Sequence, residues 1–127
     1  MNEIEIFLDE DRRAFRPGDS LAGRVRWQLA SMPKSLEVRL LWYTEGKGDQ
    51  DVGLVESQPC PGAGRSGEHA FRFVLPAGPY SFSGQLISLL WAVEAVSEPG
   101  DHTTRVEVVV SPTGEELRLG SAVATSG

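Results

Sequence analysis

Apolar and polar residues alternate along much of this 127-residue chain, with the two-residue period of a β-strand that buries one face. The clearest example is residues 3–8, where Ile4, Ile6 and Leu8 share one face. The same alternation predicts further strands over residues 21–29, 36–44, 68–75 and 103–110. A weaker pattern predicts a short strand over residues 52–57, and Phe15 and Arg16 are expected to form a short bridge.

Residues 85–96 form the longest apolar segment, and both of its alternating faces are apolar. Such a pattern is typical of a central strand that is covered on both sides. Between the strands lie turn-forming residues, of which Pro17-Gly18 is the clearest pair, because proline sets φ at one corner and glycine accepts a positive φ at the next. Residues 58–67 are rich in glycine and proline, and we expect them to form a mobile loop.

Seven or eight strands separated by turns, with no convincing helix, predict an all-β fold. The expected architecture is an antiparallel, immunoglobulin-like β-sandwich that occupies residues 1–111. Residues 112–127 are expected to form a C-terminal tail. In that tail Leu117 and Leu119 suit a short edge strand, and the small, polar residues 120–127 are expected to be disordered.

The composition and net charge argue against one class of function. The chain has 12 Lys and Arg against 18 Asp and Glu, a net charge of -6 that argues against general nucleic-acid binding. The charges are uneven, since residues 1–11 carry five acids and residues 12–39 carry seven bases. A local basic surface that reads phosphate, or local pairing of these arginines with the acidic segment, are both open interpretations.

Cysteine content and the amino terminus indicate the cellular compartment. Cys60 is the single cysteine, so no internal disulfide is available and an unpaired thiol in a reducing compartment is expected. The first residues lack a basic and apolar signal segment, and no apolar run reaches the ~20 residues of a membrane helix. We therefore expect a cytoplasmic protein with no integral membrane segment.

The segment 73–95 joins one strand to the central strand through a loop rich in proline, glycine and aromatic residues. Pro76 is suited to end a strand, because it withholds a backbone N–H. Tyr80 and Phe82 are expected to plug the end of the sandwich, and a buried Tyr80 hydroxyl would need a hydrogen-bond partner. The residues that define this segment are Leu75, Pro76, Pro79, Tyr80, Phe82, Gly84 and Trp91.

With this spacing, the segment resembles the pattern of an amino-terminal domain in the arrestin superfamily, which includes bacterial sporulation-control relatives. The first strand pair resembles the same pattern, with Leu8-Asp9 followed by Phe15, Pro17-Gly18-Asp19, Leu21 and Gly23. The similarity extends over about residues 3–110, which corresponds to one arrestin half. It implies an arrestin-like sandwich and a non-enzymatic role in binding proteins. The phosphate-reading lysines of receptor-binding arrestins have no residue-by-residue match here, although Arg12 and Arg13 also follow the first strand.

No catalytic or metal-binding constellation is evident in the sequence. His69 and His102 lie in different segments, and nothing specifies an approach of Cys60 to His69. The acids at residues 9–11 lack the spacing of a Ca²⁺ loop, and the glycines match no phosphate loop. We expect no catalytic residue, no cofactor and no metal.

The favoured hypothesis is an adaptor or scaffold module that binds a protein partner, or a second copy of itself, through a sheet edge or face. Arg12, Arg13, Leu41 and Tyr43 are the candidate contact residues. A small-ligand or carbohydrate-binding sandwich is the alternative, although all three tryptophans have the inward phase of their strands. A cation-dependent or catalytic protein is a third, weaker possibility.

Overall fold

A computed structural model describes residues 2–47, 50–84, 87–98, 102–113 and 117–118 of the chain. Ten strands account for most of these residues, and one 3-10 turn, Asp9–Asp11, follows the first strand. The described residues contain no α-helix. The strands are β1 (Glu3–Leu8), β2 (Ala14–Phe15), β3 (Ser20–Gln28), β4 (Ser35–Gly46), β5 (Val52–Pro59), β6 (Ser66–Val74), β7 (Phe82–Ser83), β8 (Ile87–Glu98), β9 (His102–Val110) and β10 (Leu117–Arg118).

The strands form a smaller and a larger sheet, and the prediction of an all-β sandwich is confirmed. The smaller sheet has the order β1-β3-β6, and all of its pairs are antiparallel. The larger sheet has the order β10-β7-β8-β4-β5, with β9 also paired to β8 and β2 paired to β9. Most pairs are antiparallel, but β2 runs parallel to β9 and β10 runs parallel to β7.

The core follows directly from the alternation in the sequence. Along β1, β3 and β6 the apolar residues point toward the larger sheet while their neighbours face solvent. From the larger sheet, alternate residues of β4 and β8 fill the same space. The largest side chains with almost no exposure are Trp91, Phe73, Leu21, Leu36 and Leu40.

β8 is the central strand that its two apolar faces predict. It pairs with β4 over its whole length, from Ser35 opposite Glu98 to Gly46 opposite Ile87. On its other side it pairs first with β7 and then with β9. Every residue from Trp91 to Ser97 is buried. The first two residues of the predicted segment, 85 and 86, lie outside the described residues.

The connection between β5 and β6 differs from its prediction. β5 extends two residues further than expected, to Pro59. Two of the residues that follow it are hydrogen-bonded to β4 and β3. Cys60 N–H donates to the Leu36 carbonyl at 2.8 Å, and the Trp27 Nε1–H donates to the Gly64 carbonyl at 3.0 Å. Residues 58–59 and 66–67 of the predicted loop belong instead to β5 and β6, and the mobility of the residues between them stays a prediction.

The turn at Pro17-Gly18 is confirmed, and it holds the start of β3 beside the end of β6. Gly18 has a φ of +88°, which L-residues with a Cβ rarely adopt. Its N–H donates to the Leu75 carbonyl at 2.8 Å, and the Leu75 N–H donates to the Asp19 carbonyl at 2.9 Å. The start of β3 is thereby fixed against the residue that ends the β6 segment.

The far end of the chain adds one short strand. β10 lies beside β7, with Leu117 opposite Phe82 and Arg118 opposite Ser83. The tail prediction also involved Leu119 and residues 120–127, which lie outside the described residues.

Gly23 is required by the close approach of β1 to β3. A Cβ at this position would overlap the Phe7 carbonyl oxygen and would lie 3.0 Å from the Phe71 ring. We expect Gly23→Ala to lower the free energy of unfolding by at least about 2 kcal/mol, because a backbone atom cannot yield without breaking the strand pair. Urea denaturation measures the change. Gly64→Ala is the control, since its nearest neighbour would be 3.9 Å away, and an equal loss in both variants would contradict this explanation.

Candidate functional site

The loop that defines the sequence motif serves to close the core. The Trp91 Nε1–H donates to the Pro79 carbonyl at 2.8 Å. Ser81 is buried, its N–H donates to the Val110 carbonyl at 2.7 Å, and its hydroxyl accepts from the Val110 N–H at 3.0 Å. Through these hydrogen bonds the loop before β7 holds β8 and β9 together at one end of the sandwich.

The placement of Tyr80 corrects one prediction. Because Pro79 and Ser81 both turn toward the core, the side chain between them points outward, and Tyr80 is 37% exposed. Phe82 is partly buried and packs against the core as expected. Ser81, rather than Tyr80, is therefore the polar group that needs and finds a buried partner.

Arg12 and Arg13, proposed from the sequence as contact residues, are both engaged locally. The Arg12 guanidinium pairs with Asp19 and lies 4.4 Å from the centre of the Phe15 ring. Arg13 donates to the Asp11 carboxylate at 2.9 Å. Both arginines belong to the connection between β1 and β2, whereas Leu41 and Tyr43 lie on β4 of the larger sheet.

A chain of charged groups crosses the outer face of the larger sheet. Arg39 donates through Nε to Glu37 at 2.6 Å and lies 3.8 Å from Glu94, which also accepts from Arg105 at 2.6 Å. Ser57 donates to Glu37 at 2.7 Å. This hydrogen bond, with Arg39, holds the pKa of the Glu37 carboxyl below its usual range against the opposing effect of burial. The Glu94 hydrogen bond raises the pKa of Arg105.

These charged side chains also cover apolar residues beneath them. Arg105 lies 4.6 Å from the centre of the Tyr43 ring, and Leu41, on the same face of the sheet, is only 4% exposed. Leu41 therefore cannot contact a partner until its neighbours move. Tyr43 is half-buried and remains accessible beside Arg105.

The apolar groups that do reach solvent lie on β5, which ends the larger sheet. Val52 is 69% exposed and Leu54 is 57% exposed, with Val55 also exposed. β5 pairs only with β4 among the described strands, so its other side is an open edge. The register shifts between Leu40 and Leu41, because the β4–β5 pairing passes from Glu56 to Leu54 and leaves Val55 as a bulge.

The pairing register shows which backbone groups of β5 are free. The Thr44 N–H donates to the Asp51 carbonyl at 2.9 Å, which places these two residues at a hydrogen-bonded position beside the Tyr43–Val52 pair. In an antiparallel ladder such pairs alternate with pairs whose N–H and C=O point away from each other. Val52 and Leu54, opposite Tyr43 and Leu41, therefore direct their backbone groups away from β4.

The two ends of β5 differ. Near its end, the Gln58 side chain donates to the Arg72 carbonyl on β6 and ties the margin of one sheet to the other. Near its start, the Trp42 indole lies against the Gly53 backbone, where any Cβ would overlap the ring. The open part of the edge is consequently limited to the segment before Gln58.

The sequence predicted a short strand over residues 52–57, but it did not identify this strand as the open edge of the sheet. Its signal is a short apolar cluster, Val52 with Leu54 and Val55, that shows no clean alternation and is bounded by Asp51 and Glu56. Alternation detects strands with one buried face, and it is silent on an edge strand whose side chains are almost all exposed.

The remaining chemical candidates do not assemble into a reactive site in the described part of the chain. Cys60 is buried, and that burial raises the pKa of its thiol to about 11, so the thiolate is scarce at neutral pH. Among the described residues no three His, Cys, Asp or Glu side chains are grouped to hold a metal ion.

An open hollow of about 520 Å³ lies on the outer side of the smaller sheet, between Glu3, Glu5, Arg26 and Glu68. Its charges are partly neutralised, since Glu68 lies 3.2 Å from Arg24 and 3.3 Å from Arg26. Trp27 lines the hollow but is only 6% exposed, so it offers no aromatic platform for a sugar ring.

Comparison with solved structures agrees with this architecture. The sporulation control protein Spo0M from Bacillus subtilis superimposes with a TM-score of 0.64, at 18% sequence identity, over 87% of this chain. The fold is arrestin-like. The matched region is 49% of the Spo0M chain, so this chain spans about half of that length. A β-glucosidase from Listeria innocua matches with a TM-score of 0.47 at 16% identity, over 92% of this chain and 16% of the enzyme.

No family model and no curated protein sequence matches the chain. Within the part that the structure describes, no helix combines the length and hydropathy needed to cross a membrane.

Ser81 provides a test of the loop closure. In Ser81→Ala the Val110 N–H loses its acceptor while remaining buried, and we expect the free energy of unfolding to fall by about 1–3 kcal/mol. Thermal or urea denaturation measures this loss. Thr44→Ala is a less buried control, since its hydroxyl accepts from the exposed Asp51 N–H, and a larger loss there would refute the proposed importance of Ser81.

Asp19 gives a pH-dependent prediction. A hydrogen bond from the Arg16 backbone N–H at 2.9 Å, followed by the Arg12 guanidinium, lowers the pKa of the Asp19 carboxyl. Its contribution to stability is complete above the ordinary aspartate pKa of about 4 and is lost as pH falls through the lowered value. Urea midpoints measured from pH 7 to pH 2 are expected to fall less steeply with acid in Asp19→Asn. Parallel pH profiles for the two proteins would contradict this assignment.

Proposed function

We propose that the chain is a non-enzymatic protein-interaction module that binds its partner through the open edge of β5. The observation that carries the proposal is the coincidence of exposed apolar side chains and free backbone groups at Val52 and Leu54. An extended segment of another protein can add to such an edge by backbone pairing, as in β-augmentation. The neighbouring outer face, with Tyr43, extends the same surface.

A protected edge is the competing interpretation. Native sheets commonly guard their edges with bulges, prolines and charges, and β5 has a bulge at Val55, a proline at Pro59, Asp51 just before its first residue and Glu56 within it. A guarded edge does not, however, require valine and leucine on its exposed positions. The bulge, the proline and the acids limit which strand pairs with β5, and the apolar residues stabilise the pair once it forms.

The general role proposed here is that of an adaptor or scaffold. Spo0M is described as a sporulation control protein, and a regulatory role of that kind is compatible with binding rather than catalysis. The single, buried Cys60 thiol suits a reducing compartment, which supports a cytoplasmic location. Self-association of the chain is the competing use of this edge, and light scattering tests it below.

Paired variants test whether β5 is the binding surface. We expect Leu54→Asp to abolish partner binding without unfolding the protein, because Leu54 is mostly exposed and the new carboxylate would be desolvated by an added strand. Val74→Asp is the matched control, since Val74 is 60% exposed on β6 of the smaller sheet. Circular dichroism and thermal melting establish that both variants are folded.

The measurement is affinity capture from the native cell with wild type, Leu54→Asp and Val74→Asp, followed by titration of each purified candidate. Candidates bound by wild type and Val74→Asp but lost by Leu54→Asp support the proposal. Light scattering on the same three proteins reports self-association through this edge. Partners retained equally by all three proteins would place the binding surface elsewhere.

A further inference from the structure

The two faces of β5 differ in chemistry, and this difference specifies the strand that fits beside it. We propose that the β5 edge binds an extended polypeptide segment in which apolar and basic residues alternate. This inference rests on the function proposed above and adds the identity of the ligand. The segment pairs with the outward N–H and C=O groups of Val52 and Leu54.

The first face is apolar. Val52 lies opposite Tyr43 and Leu54 lies opposite Leu41, so the exposed side chains of β5 continue an apolar band that begins on β4. Side chains of an added strand that fall beside Val52 and Leu54 occupy the same face of the sheet. Apolar or β-branched residues at those positions extend the band and remove both side chains from water.

The second face is acidic. Asp51 and Gly53 alternate with Val52 and Leu54, and after the bulge Glu56 has the same phase as Gly53. Asp51 and Glu56 are exposed, and β5 itself carries no lysine or arginine. Trp42 lies opposite Gly53, which is between Asp51 and Glu56 along the strand, and its indole packs on Gly53 and is only partly buried.

A cation suits this second face in two ways. Lysine or arginine side chains on the added strand reach the carboxylates of Asp51 and Glu56. A cation placed between them meets the Trp42 ring, and tryptophan has the most favourable face for such a contact. The nearby bases do not compete for this site, since Arg39 is bound by Glu37 and Glu94.

The same charges act against a second copy of the chain. Pairing two β5 strands brings two sets of Asp51 and Glu56 to one edge, and each chain carries a net charge of -6. Like charges across a shared edge disfavour that pair, so the carboxylates exclude self-pairing while they favour a basic segment.

Synthetic peptides test the proposal without knowledge of the natural partner. The probe is a fluorescein-labelled nine-residue peptide that alternates valine and lysine, with threonine at each end. One matched peptide has glutamate in place of lysine, and another has the same composition in shuffled order. Fluorescence anisotropy at low and high salt measures binding to the full chain. We expect the lysine peptide to bind at least about tenfold more tightly than the glutamate peptide or the shuffled peptide. Its own affinity is expected to fall at high salt.

Substitutions in the protein separate backbone pairing from charge. Leu54→Pro removes an outward N–H without removing a bond to β4, and Leu54→Thr keeps that N–H as its control. We expect Leu54→Pro to lose at least about tenfold in affinity and Leu54→Thr clearly less. Asp51→Asn with Glu56→Gln is expected to lose about threefold to tenfold. Glu3→Gln with Glu5→Gln changes the net charge equally on the other sheet and is expected to leave binding unchanged.

Three outcomes overturn the proposal: no binding of the lysine peptide, equal binding of the glutamate peptide, or a loss of affinity in Glu3→Gln/Glu5→Gln that matches the loss in Asp51→Asn/Glu56→Gln. The failure of the underlying function is distinguishable from these. If lysine and glutamate peptides bind equally and Leu54→Pro abolishes both, the edge still binds strands and only the basic preference is wrong. If Leu54→Pro has no effect on any peptide, the edge itself is not the binding surface.

Discussion

The pairing of β8 with β4 is the interaction on which the rest of the structure depends. It runs the full length of both strands and places Trp91, Val93 and Ala95 in the space between the sheets. β7 and β9 attach to the remaining side of β8, and the loop before β7 is fixed by its carbonyl at Pro79 to the Trp91 indole. Loss of this pairing would separate β5 from the strands that hold the core.

A central strand with two apolar faces presents a problem in a domain that has only two layers, because its outer face has no third layer to cover it. On the outer face of β8 a small residue lies near the long side chains of the flanking strands. Ala92 is fully buried on the outer face, and two residues further along β8 Glu94 pairs with Arg39 and Arg105 from the flanking strands. The aliphatic stems of the arginines cover apolar surface while their charged ends remain paired and partly in water. This cover leaves the centre of the outer face polar, and the accessible apolar groups shift to the edge.

The sequence predicted the parts of the fold in which burial decides the pattern. β1 occupies the predicted residues 3–8, and β8 is central because both of its faces are apolar. Predictions failed where a single hydrogen bond outweighs hydropathy. Tyr80 looks like a core residue by composition, but the Trp91 N–H and the Val110 backbone select its two neighbours for the interior. Alternation also gave no indication of the bulge at Val55, because the bulge depends on pairing with β4 and not on β5 alone.

The candidate site was predictable only as a category, an open sheet edge or face, and the residue choice shows why. Leu41 and Leu54 are opposite each other on one face of neighbouring strands, yet one is buried and the other is mostly exposed. Their difference arises from position in the sheet, which a single sequence does not report. Single exposed apolar residues are common on soluble proteins, but here the exposed side chains adjoin Tyr43 and lie beside free backbone groups. Burial in the isolated chain gains little from Val52 or Leu54, and solubility would favour polar residues at both positions. The stability of the domain itself therefore does not account for the apolar character of this edge, whereas the proposed binding of a strand does.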